Sequence, residues 1–121
     1  MAILLVDDDD QQLELRAEAL RLSGLSVVTA SSPVDALRIG AETAVELNVA
    51  VLDYDMPGMD GCALADELRV LRPELRIILY SGAVDIPMLE CKVDVFVPKA
   101  DGLTALLAHI VEPPGSDLTS Q

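Results

Sequence analysis

Four apolar runs in this 121-residue chain each stop on a side chain able to do chemistry. The run at 3–6 stops on Asp7-Asp8, that at 49–52 on Asp53, that at 76–80 on Ser81-Gly82, and that at 93–97 on Pro98-Lys99. Carboxylates gathered in one place repel one another, so a cation must offset them. Mg²⁺ suits the role, since it takes oxygen ligands and usually keeps several waters rather than a full protein cage. A lysine opposite adds a second positive charge, and a serine hydroxyl adds a neutral donor. Around one carboxylate, that set suits phosphoryl transfer to the carboxylate itself. Such transfer is mostly positioning and charge stabilisation, and an aspartate can serve as the nucleophile. Asp53, followed at once by the turn residues Pro57 and Gly58, is the carboxylate that would become an aspartyl phosphate.

For these residues to meet, the runs must be strands ending at one edge. The run at 3–6 reads as a buried strand, and the later aspartates after it suit the positive end of a helix. That helix carries Leu13, Ala17 and Leu20 on one stripe and ends at Gly24. Residues 25–29 are a second strand, rich in β-branched side chains. Ser32-Pro33 opens a helix running to about Glu46, with Leu37, Ala41 and Ala44 expected to face inward. Residues 48–53 form a third strand, and Asp60 caps a helix with the stripe Leu64, Leu68 and Leu71, ended by Pro73. Residues 76–80 are a fourth strand. A short helix is expected over 85–91, with Ile86, Met88 and Leu89 apolar, before the fifth strand at 93–97. The last helix, 103–111, aligns Leu103, Leu106, Leu107 and Ile110. Pro113-Pro114-Gly115 breaks it, so residues 1–112 read as one domain and 113–121 as a flexible tail. Apolar strands alternating with helices mean a parallel sheet covered on both faces. An open sheet of that kind keeps its chemistry in the crevice at the strand C-termini.

Composition narrows the classes. Apolar residues make up 51% of the chain and aromatics 2%, so the core is aliphatic and disorder is excluded. The net charge of −13 argues against direct nucleic-acid binding, which needs phosphate-neutralising Lys and Arg, and favours cations or partners with a basic face. No run is long enough to cross a membrane and no signal sequence is visible, so a cytoplasmic setting is expected. Cys62 and Cys91 make neither a C-x-x-C motif nor a disulfide framework; separate thiols in a reducing compartment are expected.

With these motifs in order, the chain resembles the receiver domain of two-component response regulators across residues 2–111. The resemblance rests on L-L-V-D-D-D at 4–9, L-D-Y-D-M-P-G-M-D-G at 52–61, I-I-L-Y-S-G-A at 77–83 and V-F-V-P-K at 95–99. It implies a flavodoxin-like doubly wound α/β fold, (βα)5, with a five-stranded parallel sheet in the order 2-1-3-4-5. It implies that Asp53 is the phosphoacceptor in a Mg²⁺-dependent reaction. Asp8, Asp53 and the backbone carbonyl of Asp55 would bind the metal directly, and Asp7 through water. Ser81 would contact the phosphoryl group, Gly82 would leave room for it, Lys99 would be the cation, and Phe96 an aromatic switch. Asp55 and Ala83 take positions at which the family tunes dephosphorylation. The partner implied is a sensor histidine kinase or a histidine phosphotransfer protein. Output would pass through a surface made by the fourth helix, fifth strand and fifth helix.

Plainer readings stand beside these. The Asp run can be a helix cap, and Asp9 and Asp10 are read as first-turn helix charges; Ser81-Gly82 can be a turn; Phe96 can be a core residue. His109 reads as a partly exposed residue near the end of the last helix. Three departures from the family are visible. Lys99 is followed by Ala100 instead of proline, which removes the residue on which the family's cis peptide depends. The segment between Ser81 and Lys99 is short by about one helical turn, a loss that falls on the fourth helix. Asp55 adds a carboxylate two residues after the acceptor. The expectation is therefore a stand-alone phosphorylation switch rather than a turnover enzyme, one that assists its own phosphorylation and dephosphorylation. Residues 103–111 carry no formal charge, which motivates a dimer or partner-docking face there. The rivals are a phosphorelay intermediate, a phosphorylation-independent interaction module, and a small Mg²⁺-dependent phosphatase with Asp55 as acid.

Overall fold

The computed structural model describes residues 2–42, 44–82 and 91–111. Strands β1 (Ala2–Val6), β2 (Ser26–Ala30), β3 (Val49–Leu52), β4 (Arg76–Ser81) and β5 (Val95–Pro98) alternate with helices α1 (Asp10–Leu22), α2 (Pro33–Ala41) and α3 (Gly61–Leu71). After β5, a single 3₁₀ turn over Lys99–Asp101 leads into α4 (Gly102–Ile110). The five strands are all parallel, in the order β2-β1-β3-β4-β5, as expected.

The pleat sorts the aliphatic side chains into two cores. Leu4, Val6, Ala50, Leu52, Ile77 and Leu79 face one way and pack with Ala36, Leu64, Ala65 and Leu68 of α2 and α3. Ile3, Leu5, Val49, Val51, Ile78, Tyr80 and Val97 face the other way and pack with Leu13, Ala17, Leu20, Leu106 and Ile110 of α1 and α4. Alternation with period two on strands buried on both faces explains why the sequence shows continuous apolar runs instead of an apolar-polar alternation.

Side-chain caps fix where the helices begin. Asp9 accepts from the backbone N–H groups of Gln11 and Gln12 at the start of α1, Ser32 from Asp35 at α2, and Asp60 from Ala63 at α3. Each satisfies amides that have no partner inside the helix. Asp9 is thus the cap of α1 rather than a first-turn charge, and Asp10 does lie in the first turn.

Helix α2 stops at Ala41, short of the expected Glu46. Arg72, just past α3, donates from Nε to the Gly40 carbonyl at 2.9 Å and from Nη2 to the Glu42 carbonyl at 2.7 Å. A guanidinium that takes up C-terminal carbonyls substitutes for the next helical turn. The inward positions shift with it: Pro33, Ala36 and Gly40 are buried, Leu37 packs at the edge of the core, and Ala41 and Ala44 are exposed. The helix expected over 85–91 and the tail at 113–121 lie outside the described residues, except that Cys91 is described and is not helical.

The cysteines overturn the expectation of separate thiols. Cys62, in the first turn of α3, is disulfide-bonded to Cys91, with Cα atoms 5.0 Å apart. A sequence separation of 29 hides the proximity, because the chain from α3 through β4 returns to the same rim before entering β5.

Gly61 shows how closely α3 seats against the third strand. Its N–H donates to the Tyr54 carbonyl at 2.9 Å, and a Cβ there would run into the Asp53 backbone carbonyl and the Leu79 side chain. Backbone cannot yield as a flexible side chain can, so Gly61→Ala is expected to destabilise the fold by about 1–3 kcal/mol. Urea unfolding of the variant checks this, as a lower midpoint at unchanged m.

Candidate functional site

The register of the strands brings the four chemical positions to one edge. Val6 is level with Leu52, Leu52 with Leu79, and Ser81 with Pro98. Asp7, Asp53 and Lys99 therefore emerge together where the strands run out. They line an open cleft of about 440 Å³, shared with Asp8, Asp55 and Gly82.

Asp7 and Asp53 are 2% and 8% exposed, so their charges are held largely away from bulk water, while Asp8 is exposed. Carboxylate oxygens of Asp7, Asp8 and Asp53 all lie within 4.8 Å of one another. The Lys99 ammonium sits 3.2 Å from Asp53 Oδ1 and 3.8 Å from Asp7 Oδ2. Burial pushes the Asp53 carboxyl above its ordinary value; Lys99 pulls it down, and Asp7 and then Asp8 push it up. The geometry is that of a buried carboxylate kept close to its counter-ion.

A donor set made only of carboxylate oxygens, without imidazole or thiolate, fits a hard divalent cation such as Mg²⁺ better than zinc. The fit also suits the electrostatics, since Asp7, Asp8 and Asp53 outnumber the two cations paired with them, Lys99 and Arg16.

The other expected site residues fall into place unevenly. Ser81 closes β4, is 1% exposed and does not line the cleft, whereas Gly82 does. Asp55 is exposed at the mouth. Phe96 lies in β5 level with Leu79, partly buried against the α3-side core. Ala83 lies outside the described residues. His109 is half-buried in the last turn of α4, remote in sequence and element from the acidic edge. Among the described residues every peptide is trans, including the one after Lys99.

One participant was not foreseen. Arg16 of α1 makes an ion pair with Asp7 Oδ2 and is only 13% exposed in its side chain. Its guanidinium lies 5.1 Å from the centre of the Tyr80 ring. The sole sequence signal is a basic residue nine positions after Asp7, which carries no message until α1 is folded back along β1.

A doubly wound sheet in this order, with an acidic cleft facing a lysine at its C-terminal edge, defines the receiver class of two-component signalling, whose chemistry is an aspartyl phosphate. The family Response regulator receiver domain matches residues 3–111, and the chain belongs to that family. It is 36% identical over 114 residues to the sensor kinase CckA of Brucella abortus, covering 91% of this chain and 12% of the kinase. Among solved structures, a CheY-like receiver domain protein from Methanospirillum hungatei superposes with a TM-score of 0.82 at 26% identity, covering 90% of this chain and 89% of that one. The response regulator TrrA of Thermotoga maritima, solved in complex with Mg(2+)-BeF, gives 0.77 at 27% identity, covering 90% and 95%. The chain spans 12% of the length of CckA, and 18% and 47% of two further curated relatives. No helix among the described residues is long and apolar enough to cross a membrane.

Proposed function

We propose that this receiver is a phosphorylation-activated switch in which Asp53 accepts a phosphoryl group from the phosphohistidine of a kinase or phosphotransfer protein, in the cytoplasm. The observation that carries this reading is the Lys99 ammonium 3.2 Å from a buried Asp53 carboxylate, in a cleft that also holds Asp7 and Asp8. An Asp53 oxygen attacks phosphorus, the phosphorus–nitrogen bond of the donor breaks, and its electrons stay on the imidazole. Lys99 meets the charge that gathers on the phosphoryl oxygens, and Gly82, without a side chain, leaves the approach open. Asp8, Asp53 and the Asp55 carbonyl would hold Mg²⁺, with Asp7 behind a water; bound there, the ion supplies charge neutralisation for the transferring group. Ser81, at the end of β4, would turn toward the new anion and donate to it, and β5, with Phe96 and Lys99, would carry the change to the face formed with α4. That face is uncharged over residues 103–111 and leaves Val111 53% exposed, which supports its use by a partner or a second copy.

The test is mass spectrometry after incubation with acetyl phosphate. The protein is expected to gain about 80 Da, one phosphoryl group, with Mg²⁺ and not with EDTA, and Asp53→Asn is expected to gain nothing. Labelling of Asp53→Asn at the wild-type rate would sink the assignment. A relay role is the second reading, supported by the match to a region of a sensor kinase. Rapid return of the group to a phosphotransfer histidine would distinguish it.

A further inference from the structure

Asp7 is claimed from two sides by its own chain. Its Oδ1 accepts the Asp9 backbone N–H at 2.9 Å, and its Oδ2 takes the Arg16 guanidinium, with Lys99 3.8 Å away. Arg16 is itself held in place. Its Nη2 reaches Gln12 Oε1 one turn earlier at 3.4 Å, and its guanidinium lies 5.1 Å from the ring of Tyr80, which is 6% exposed in the core beneath α1. A guanidinium cannot give up its proton at any ordinary pH, so this positive charge is permanent. Three clustered carboxylates therefore face two resident cations, Lys99 at Asp53 and Arg16 at Asp7.

The geometry points to Arg16 as a positioning residue that competes with a divalent cation for Asp7, and so sets the cation concentration at which the acidic cleft fills. This rests on the proposed reading of the cleft as a Mg²⁺ site. Whether Asp7 meets the ion directly or through water, its negative charge is the attraction, and Arg16 cancels much of it at contact distance. A fixed cation in contact with a carboxylate repels any second cation drawn to the same oxygens, a Coulomb effect on the order of tenfold in affinity even in well-screened surroundings.

The experiment is direct binding of Mn²⁺, used as the probe and read from the electron paramagnetic resonance of the unbound ion, with no phosphodonor present. Arg16→Met is expected to tighten Mn²⁺ binding by about tenfold, Arg16→Gln by less, and Arg16→Lys to stay within about threefold of wild type because the charge is restored. The Lys variant separates a charge effect from a merely structural one, and Gln keeps a donor toward Asp7 should Met fail to fold by circular dichroism. Unchanged or weaker binding in both folded neutral variants would overturn the inference, showing that Arg16 supports the site instead of competing for it. Absence of Mn²⁺ binding in every form, wild type included, would overturn the metal reading itself, and this inference with it.

Discussion

Lys99→Met is expected to slow phosphoryl uptake from acetyl phosphate by about 100-fold or more, the usual loss when a preorganised charge is removed from a transition state. Two effects act in the same direction. The Lys99 ammonium is the group 3.2 Å from Asp53 Oδ1, so its loss removes the charge that would meet the phosphoryl oxygens. It is also the group that holds the Asp53 carboxyl down against burial and against Asp7, so the nucleophile becomes harder to ionise. The second effect has a signature in stability. A carboxyl that holds its proton more tightly when folded than when unfolded makes stability fall as pH rises from its ordinary value to its raised one. Lys99 narrows that window in the wild type; methionine widens it. The melting temperature of Lys99→Met is therefore expected to match the wild type at acid pH, where Asp53 is protonated in both states, and to drop below it toward neutral pH. Uptake within a few-fold of wild type, or a melting difference that ignores pH, would show that Lys99 is not the counter-ion of Asp53.

Opening the Cys62–Cys91 bridge is expected to cost about 2–4 kcal/mol, since it frees the unfolded chain from a closure that spans a sequence separation of 29. At about 4 °C per kcal/mol for a domain of this size, thermal unfolding in dithiothreitol should come roughly 8–16 °C lower than without it. The double substitution Cys62→Ser with Cys91→Ser should melt at the reduced value with or without reductant. The bridge fixes the first turn of α3, behind the Asp53 loop, to the approach to β5, so hydrogen exchange should quicken at both ends together on reduction. Identical melting curves with and without reductant would mean that no bridge forms in solution.

The sequence was most legible where a single strand carries its own message. Apolar runs stopping on Asp7, Asp53, Ser81 and Lys99 were readable because a strand buried on both faces must be apolar throughout, and its end must be polar. The sheet order came through the family resemblance rather than through any run by itself. What lay hidden needed two elements at once. The pairing of Cys62 with Cys91 depends on where α3 and β5 start relative to each other. The ion pair of Arg16 with Asp7 depends on how α1 folds back, and the early stop of α2 depends on Arg72 arriving from beyond α3. In the Asp run the four letters are the same, and only the family resemblance tells them apart. The resemblance set Asp7 and Asp8 apart from Asp9 and Asp10; geometry adds that Asp7 is buried and Asp8 exposed, that Asp9 is the cap of α1, and that Asp10 lies in its first turn.

Lys99 follows the last strand, and β5 sits at the sheet's edge, paired to β4 alone. During synthesis the carboxylates of Asp7, Asp8 and Asp53 leave the ribosome well before the residue that balances them, and β1, β3 and β4 can pair while it is still inside. A nascent chain at that stage holds its acids together with Arg16 but without Lys99, so burial, Asp7 and Asp8 raise the Asp53 carboxyl unopposed. On the proposed reading, competence to accept a phosphoryl group would thus arrive only with β5.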